Sequence, residues 1–390
     1  MTHYDPHAAE IHADPYPIYE ALRRECPIYH NERLDCWALF RFEAVQAASR
    51  DWETFTTRDG TFLKSEIAAV REFFPAEGKF LDMDPPRSAQ LRAIVKRPFS
   101  ASEVKTQEPS IRQIARELIG SFRERGSADL AKEFAEPLPV TVISDMLGVP
   151  RTDQKMVSQW SHDLHLRNRD GTVPAHAMEA GFKMRSYFER MIEVRRPAPS
   201  NDLMTDIAHA TVEDVPLTIN EMLGMAFLLY VAGNETTRLL ITTSLLLLAK
   251  RPDERERLAA HPSSIPTAIE EILRFDAPVA NEARTVTRDV EIGGTVIPQG
   301  KQVLLVYGSA NRDEAVFEDA DTLRLDRPSQ RHLAFGEGIH SCLGRHLARL
   351  EARVALEEIL ASLPLYHLAG PTQWPESTVL RGPVTLPVEF

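Results

Sequence analysis

Apolar residues recur at helical spacing along most of the chain, and only a few short stretches alternate as strands do. The helical pattern predicts helices over residues 17–25, 91–99, 104–125, 138–147, 154–166, 177–195, 201–209, 219–250, 265–275 and 345–360. Strand-like segments occupy residues 37–40, 284–297 (two strands around a Gly293-Gly294 turn), 303–307 and 384–390. Residues 54–84 follow neither pattern and predict a long loop. We therefore expect one domain over residues 1–390, mainly α with a minor β-sheet region.

The longest apolar segment, residues 219–250, contains a polar interruption at residues 234–238. Each apolar half is shorter than the ~20 residues that span a bilayer, and charges at the centre of a span are costly in lipid. The pattern therefore predicts a long helix buried in a protein core. Polar residues in the middle of such a helix need a separate reason.

Charge and cysteine content narrow the class of protein. The chain carries 45 basic and 57 acidic residues, a net charge of −12, and an acidic protein is a poor binder of nucleic acid or anionic membranes. Its cysteines, Cys26, Cys36 and Cys342, form no CxxC pair, which argues against zinc and iron–sulfur sites. The first residues show no signal-peptide pattern. We expect a cytoplasmic monomer without a membrane anchor.

One cysteine has an unusual setting: Cys342 lies in a glycine-rich segment, residues 335–344, just before a predicted helix. Gly336, Gly338 and Gly344 can adopt dihedral angles closed to other residues, and they allow a flat ligand to approach the backbone. Backbone N–H groups and the positive end of the following helix favour a thiolate. A lone cysteine is more often a buried, inert residue. A thiolate beside a flat ligand indicates instead an axial ligand of haem iron.

This segment resembles the haem-binding signature of the cytochromes P450. The matching residues are Phe335, Gly336, Gly338, His340, Cys342 and Gly344. Two further motifs resemble those of the family and follow its order: a polar break in the long helix, and a Glu-x-x-Arg pair in a later helix. The resemblance implies the P450 fold, with the long central helix over haem b (iron-protoporphyrin IX) and Cys342 as the iron ligand.

The later motif is the pair Glu271 and Arg274. Residues three apart share one helical face, and alone they would form a surface ion pair worth little. In the family such a pair joins a second arginine, for which Arg327 stands at the matching position. The resemblance therefore implies a structural triad that holds the segment presenting Cys342.

The polar break, residues 232–237, resembles the family's oxygen-activation motif. Ala232 and Gly233 have no bulky side chain, so dioxygen would fit beside the helix. The Thr236 hydroxyl can bond to the i−4 carbonyl and bend the helix, which opens space for water. Thr236 would then donate a hydrogen bond to the oxygen, and Glu235 would relay protons from solvent. Many members have aspartate where this chain has Glu235; helix capping or a core polar pair is the alternative interpretation.

The two propionates of haem need cationic partners. Three positions match family contacts: Arg92, Arg284 and His340. The family often has a histidine four residues before the first of these arginines, and here that position is Ser88. One propionate contact therefore lacks its usual partner.

The resemblance implies a monooxygenase that activates O₂ with two electrons to hydroxylate or O-dealkylate a small-to-medium hydrophobic compound, aromatic or terpenoid, with a steroid as the alternative. Electrons would come from a separate ferredoxin and ferredoxin reductase, with ferredoxin docked at Arg331, Arg345 and Arg349. The expected pocket residues are Leu228, Leu229, Ala232, Val279, Ala280, Asn281 and Val379, together with Phe62, Phe73, Phe74 and Phe80 in the loop over residues 57–81. Alternatives are a peroxygenase that uses H₂O₂ and a non-catalytic haem sensor; neither needs the Thr236/Glu235 pair.

Overall fold

The computed structural model of this chain describes residues 2–64, 66, 77–164, 173–328, 330–375 and 377–390. Helices dominate these residues. In chain order they are α1 (Ala9–Ala13), α2 (Tyr16–Glu25), α3 (Phe42–Arg50), α4 (Arg87–Val95), α5 (Ala101–Thr106), α6 (Glu108–Phe122), α7 (Pro137–Leu147), α8 (Arg151–Asp163), α9 (Ala175–Arg195), α10 (Leu203–His209), α11 (Ile219–Ala249), α12 (Pro252–Ala260), α13 (Ile265–Phe275), α14 (Tyr307–Ala310) and α15 (Arg345–Ser362). Phe73 and Phe74 lie outside the described residues, so their pocket role stays a prediction.

Proline explains several differences between the predicted and the observed helices. Residues 104–125 form α5 and α6 rather than one helix, because Pro109 in the first turn of α6 has no N–H with which to continue the hydrogen-bond ladder. The helix predicted over residues 91–99 begins earlier, at Arg87, and ends at Val95 before a 3-10 turn that contains Pro98. Pro252 ends the long helix, as predicted, but it also begins α12, since proline suits the first helical position. Neither α12 nor α3 was predicted.

Within the described residues, the strands form two small sheets and two hairpins. They are β1 (Ile28–Asn31), β2 (Cys36–Leu39), β3 (Phe55–Thr56), β4 (Ser127–Asp129), β5 (Thr211–Val212), β6 (Val215–Pro216), β7 (Glu282–Val286), β8 (Val290–Ile292), β9 (Thr295–Ile297), β10 (Gln302–Leu305), β11 (His367–Leu368) and β12 (Pro387–Glu389). The sheets have the orders β1-β2-β10-β7-β3 and β11-β12-β4, and the hairpins are β5–β6 and β8–β9.

The segment 284–297 contributes to three strands rather than the two predicted. The β8–β9 hairpin turns at Gly293 and Gly294, which have φ of 53° and 81° as such a turn requires. The strand before it, β7, leaves the hairpin and pairs antiparallel with β10. Arg284 therefore lies in the larger sheet and not in the hairpin.

The long helix α11 is the centre of the main hydrophobic core. It begins with a capping box, in which the Thr218 hydroxyl accepts the Glu221 N–H at 3.2 Å and the Glu221 carboxylate accepts the Thr218 N–H at 3.0 Å. Most of its side chains are buried, and it packs against α7, α9, α13 and α15. Among the helices that the structure describes, none is both long and apolar enough to cross a membrane.

Candidate active site

Backbone hydrogen bonds close the segment 335–344 into a loop. The Cys342 N–H donates to the Phe335 carbonyl at 2.8 Å, and the Ser341 N–H donates to the Gly338 carbonyl at 3.2 Å. The helix α15 begins directly afterwards, at Arg345. The sulfur is therefore presented from a short closed loop at a helix N-terminus.

Two of the three loop glycines have the special conformation that was predicted. Gly336 and Gly338 have φ of 61° and 72°, a region that favours glycine. A Cβ on Gly338 would also lie 2.7 Å from the Ser49 carbonyl oxygen, so the loop approaches the end of α3 closely. Gly344 is different, because its φ of −81° is open to any residue. The prediction of a special dihedral angle at Gly344 was wrong.

Opposing influences act on the Cys342 sulfur. Burial raises the pKa of the thiol above its ordinary value. A hydrogen bond from the Gly344 N–H and the charges of Arg92 and Arg345 act to lower that pKa, while Glu282 raises it further. The protein alone therefore keeps the thiol protonated at neutral pH. A bound metal ion would remove the proton, because a coordinating thiol is deprotonated outright.

The three side chains predicted to bind an anion lie close together beside the loop. Arg92 donates to the Ser341 carbonyl, and His340 Nε2 lies 3.3 Å from Thr57 Oγ1. Burial, together with the charges of Arg284 and Arg92, lowers the pKa of His340 to about 3. The guanidinium groups of Arg92 and Arg284 thus lie near the neutral imidazole of His340 in a partly buried site.

Arg284 has a partner that sequence reasoning missed. Its Nη2 lies 3.0 Å from Glu282 Oε2, and the Tyr307 hydroxyl donates to the same oxygen at 3.1 Å. A buried arginine needs such a partner, and Arg284 is only 2% exposed. Glu282 offsets one of the two positive charges beside the loop, so that an excess positive charge remains with Arg92.

The predicted triad forms a buried network. Arg274 binds the Glu271 carboxylate through both Nε (2.7 Å) and Nη2 (2.8 Å), and Arg327 Nε lies 3.0 Å from the same carboxylate. All three residues are buried. The two guanidinium groups also donate to main-chain carbonyls of the segment before the loop, those of Asn311, Glu318, Asp319, Ala320 and Thr322. The network thus ties α13 to the chain that leads to Cys342.

Two further carboxylates hold the loop, and the sequence analysis had not singled out either. The Glu270 carboxylate accepts hydrogen bonds from Nε and Nη2 of Arg349 in α15, at 2.6 and 2.8 Å. The Arg349 guanidinium lies 4.3 Å from the ring centroid of Phe335. Glu337, inside the loop, pairs with Arg50 of α3 and with Arg331. The pairs Glu270–Arg349 and Glu337–Arg50 join residues that are distant in the sequence, which is why spacing alone gave no signal for them.

The polar break of α11 is helical throughout. Thr236 Oγ1 donates to the Ala232 carbonyl at 3.1 Å, which is the i−4 bond that was predicted. Leu228, Ala232 and Thr236 follow one another at i, i+4 and i+8, and none of them is fully buried. They share one helical face.

The adjacent face of α11 has a use that was not predicted. A Cβ on Gly233 would lie 3.0 Å from the Ile143 side chain, so this glycine lets α7 pack closely against α11. Leu229, one turn earlier, is buried in the main core. The small size of Gly233 thus serves helix packing, its place beside dioxygen stays a prediction, and Leu229 is a core residue.

The two remaining pocket segments pair with each other. Val279 and Leu380 form an antiparallel bridge, and the Ala280 N–H donates to the Val379 carbonyl at 2.7 Å. The Asn281 amide donates to the Thr378 carbonyl at 2.6 Å, which accounts for that buried polar side chain. Val279 is the more accessible of the predicted residues here, since Ala280, Asn281 and Val379 are buried.

Comparisons with known proteins decide the family. A family model described as cytochrome P450 matches residues 265–382. Cytochrome P450 130 of Mycobacterium tuberculosis is 35% identical over 97% of this chain and 96% of its own length. The chain belongs to the cytochrome P450 family. Cytochrome P450 109 of Bacillus spizizenii is 36% identical over 90% of this P450 and 86% of its own length.

Solved structures agree with this assignment over the whole fold. P450BioI, crystallised with an acyl carrier protein that bears hexadec-9Z-enoic acid, superposes with a TM-score of 0.90 at 29% identity, over 98% of this chain and 99% of that one. CYP109E1 from Bacillus megaterium, in complex with testosterone, superposes with a TM-score of 0.88 at 32% identity, over 98% and 99% of the two chains. The protein is thus a P450 monooxygenase with the P450 fold.

The residues around Cys342 fit the haem-iron cofactor of the family. The single sulfur donor lies in a loop whose glycines leave its backbone accessible, and a Cβ on Gly344 would contact nothing within 4 Å. The excess positive charge at Arg92, next to Arg284 and His340, suits the carboxylates of such a group. Ser88, in place of the frequent histidine, is buried on α4.

Proposed function

We propose that this P450 binds haem b through Cys342 and hydroxylates, or O-dealkylates, a compact hydrophobic compound, aromatic or terpenoid. The observation that carries the proposal is the closed loop at residues 335–344, with a helix N-terminus and an excess of positive charge beside one cysteine. When bound, haem iron supplies the binding and reductive activation of O₂. Arg92, Arg284 and His340 are the proposed partners of the propionates.

The overall reaction consumes protons as well as electrons: RH + O₂ + 2 e⁻ + 2 H⁺ gives ROH + H₂O. Thr236 lies on the open face of α11 with a hydroxyl that can turn from the Ala232 carbonyl to an oxygen atom in the pocket. Glu235 is the adjacent carboxylate and is suited to pass on protons. We assign proton delivery to this pair.

The proposed substrate class rests on the side chains that border the site. Leu228 and Ala232 of α11 and Val279 are apolar and of small to medium size. Phe80 is buried in the main core, whereas Phe62 is 41% exposed. CYP109E1 was crystallised with testosterone and P450BioI with a carrier-bound fatty acid, so related pockets hold larger ligands. A steroid and a fatty acid therefore belong in the test.

The first experiment is an optical titration of the purified ferric protein with phenolic ethers, aromatic acids, terpenoids, testosterone and palmitic acid. A shift of the Soret band from low to high spin with an aromatic or terpenoid compound is expected, because a fitting substrate displaces water from the iron. A shift with testosterone or palmitic acid alone would overturn the compact-substrate proposal. Absence of a thiolate-type spectrum with carbon monoxide would overturn Cys342 as the ligand.

The proposed electron donor is a ferredoxin, which would dock on the surface near Cys342. Two of the three arginines expected there already have carboxylate partners, since Arg331 shares Glu337 with Arg50 and Arg349 pairs with Glu270. Arg345 remains exposed at the start of α15. Lys96 and Arg97 are also exposed, next to a turn that packs against α15. Arg345, Lys96 and Arg97 therefore form a more suitable surface for an acidic partner than Arg331 and Arg349 do.

Charge reversal tests this surface. Arg345→Glu combined with Arg97→Glu should lower the rate of ferredoxin-supported reduction and weaken its dependence on ionic strength. Lys183→Glu on α9 is the control for a change in net charge. Unchanged reduction by ferredoxin in the double variant would overturn the docking surface. Turnover that is faster with H₂O₂ alone than with ferredoxin would favour a peroxygenase.

A further inference from the structure

The carboxylate next to Thr236 belongs to a larger group of charges. Glu235 accepts hydrogen bonds from Arg238, one turn along α11, with Arg238 Nε at 3.2 Å and Nη2 on the second oxygen. Arg238 is 3% exposed. These two hydrogen bonds fix the Glu235 carboxylate beside Arg238. A proton relay through Glu235 needs a second group that supplies protons to it from the solvent side.

A narrow cleft runs from the Glu235–Arg238 pair towards the surface between α7, α8 and α11. Its walls are formed by Glu136, Val140, Ser158, His162, Asn234, Glu235 and Arg238. The cleft has a volume of about 10 Å³, which is room for about one water molecule. His162, near the end of α8, is exposed, whereas Asn234 is buried and donates to Ser161 and to the Tyr230 carbonyl. The cleft thus joins the exposed imidazole of His162 to the half-buried carboxylate of Glu235.

Glu136, the residue just before α7, supplies a second carboxylate to the same cleft. Burial raises its pKa, Arg238, His162 and Lys132 act to lower it, and Glu235 raises it. Glu136 and Glu235 thus interact with one arginine. Two nearby carboxylates that share one cation titrate as a coupled pair, in which one of them tends to hold a proton.

We propose that Glu136 and His162 form the outer end of a proton-uptake path that leads through Glu235 to Thr236, with Arg238 as the buried charge that both carboxylates share. Only protons move along it: Glu136 gives a proton to Glu235 through a water molecule, for which the cleft has room, and regains one from His162 or from solvent. Glu235 passes its proton to the Thr236 side of α11. Two such transfers supply the two protons of each turnover. This inference rests on the proposed monooxygenase function.

The test is the double variant Glu136→Gln/His162→Gln of the haem-loaded enzyme, assayed with the compound that gives the largest Soret shift. We expect the amount of product per electron consumed to fall roughly tenfold. This is less than the 10²–10⁴-fold contribution of a direct proton donor, because bulk water can partly replace Glu136 and His162. The solvent isotope effect should rise. Turnover supported by H₂O₂ should stay unchanged, because peroxide brings its own protons and electrons. Glu256→Gln and His261→Gln, exposed on and just after α12, are the matched controls.

Infrared spectroscopy tests the role of Glu136 without enzyme turnover. In the infrared difference spectrum of wild type minus Glu136→Gln, a protonated carboxyl band that shifts promptly in D₂O should appear as the pH is lowered. Glu351, whose pKa burial also raises, is common to both proteins and cancels in the difference. Retention of this band in Glu136→Gln would overturn the proposed path. So would a double variant with the wild-type yield of product per electron and the wild-type solvent isotope effect. If H₂O₂-supported turnover fell as much as O₂-dependent turnover, the proposed path would also be overturned, because Glu136 and His162 would then only stabilise the helix packing. Failure of the proposed function is distinct: wild-type protein would itself lack the thiolate spectrum or turnover.

Discussion

The same glutamate–arginine pair, three residues apart on a helix, occurs on both sides of the site. On the Cys342 side, Glu271 and Arg274 are 3% and 2% exposed, and Arg327 and several main-chain carbonyls share the charges. On the opposite side, Glu235 and Arg238 border a cleft that contains a second carboxylate, Glu136. Through Arg327 and these carbonyls the first pair connects its helix to a distant part of the chain, whereas the second pair lies beside a cleft that leads towards solvent.

The difference shows that the surroundings of an ion pair, rather than its spacing, determine its role. A buried pair whose donors and acceptors are all engaged holds one geometry, since removal of either partner leaves an unpaired charge. A pair beside a second acid in a cleft that leads to solvent titrates as part of a coupled group. We therefore expect variants on the Cys342 side to affect haem retention and stability, and variants in α11 to affect the efficiency of turnover.

The largest expected effect is at the sulfur itself. Cys342→Ser should abolish the thiolate-type spectrum of the ferrous carbon monoxide complex and all O₂-dependent turnover, because a serine oxygen does not supply the electron density of a thiolate. Cys26→Ser, at a half-buried cysteine on another part of the chain, is the control and should keep the wild-type spectrum. A thiolate spectrum in Cys342→Ser would show that another residue holds the iron.

Three Glu-to-Gln variants test the comparison of ion pairs directly. Glu271→Gln should lower the free energy of unfolding by about 3–5 kcal/mol, the usual cost of breaking a buried pair. Glu254→Gln is the matched control, because Glu254 and Arg257 form a pair with the same spacing at the surface of α12, where the expected loss is about 0–1 kcal/mol. Glu235→Gln should fall between them in stability and still bind haem. The measurement is urea unfolding followed by circular dichroism; equal losses for all three would refute the comparison.

Much of the Cys342 side could be predicted from the sequence, because its residues follow one another in a short, specific motif. The closed loop and the triad were both expected. The partners of that motif were harder to find, since Glu337 and Glu270 are recognisable only once the fold brings Arg50 and Arg349 close. A pattern of residue types says little about contacts between distant segments.

The α11 side was predicted less well for a related reason. Small size at Gly233 has two explanations, a nearby ligand or a nearby helix, and only the position of Ile143 reveals the helix. Leu229 and Leu228 are adjacent leucines in a run of apolar residues, so periodicity could not tell which one faces the core. The cleft with Glu136 and His162 depends on how α7 and α8 pack against α11, which no local signal encodes.

A moderate effect is expected at Thr236. Thr236→Val keeps the branched shape of the side chain but removes the hydroxyl, so product per electron should fall by about 10²-fold or less, the lower end for a positioned proton donor. Released H₂O₂ should rise to match. Thr242→Val is the control, because Thr242 makes the same i−4 bond, to the Arg238 carbonyl at 2.7 Å, but lies in the core. Wild-type coupling in Thr236→Val would remove the threonine from the mechanism and favour a peroxygenase or a sensor.

The smallest expected effect is on the pH dependence of stability, at Glu270 on the Cys342 side. Burial alone would raise the pKa of Glu270, but hydrogen bonds from Arg349 and His332 outweigh it and lower that pKa to about 2. A carboxyl with a lowered pKa in the folded state stabilises the protein above its unfolded pKa of about 4.3, and loses that contribution as the pH falls towards 2. Glu270→Gln should therefore be less stable than wild type at pH 7, and the difference should shrink steadily below about pH 4.3. Urea unfolding at a series of pH values measures it, and a difference that stays constant down to pH 2.5 would mean that the Glu270–Arg349 pair contributes packing rather than charge.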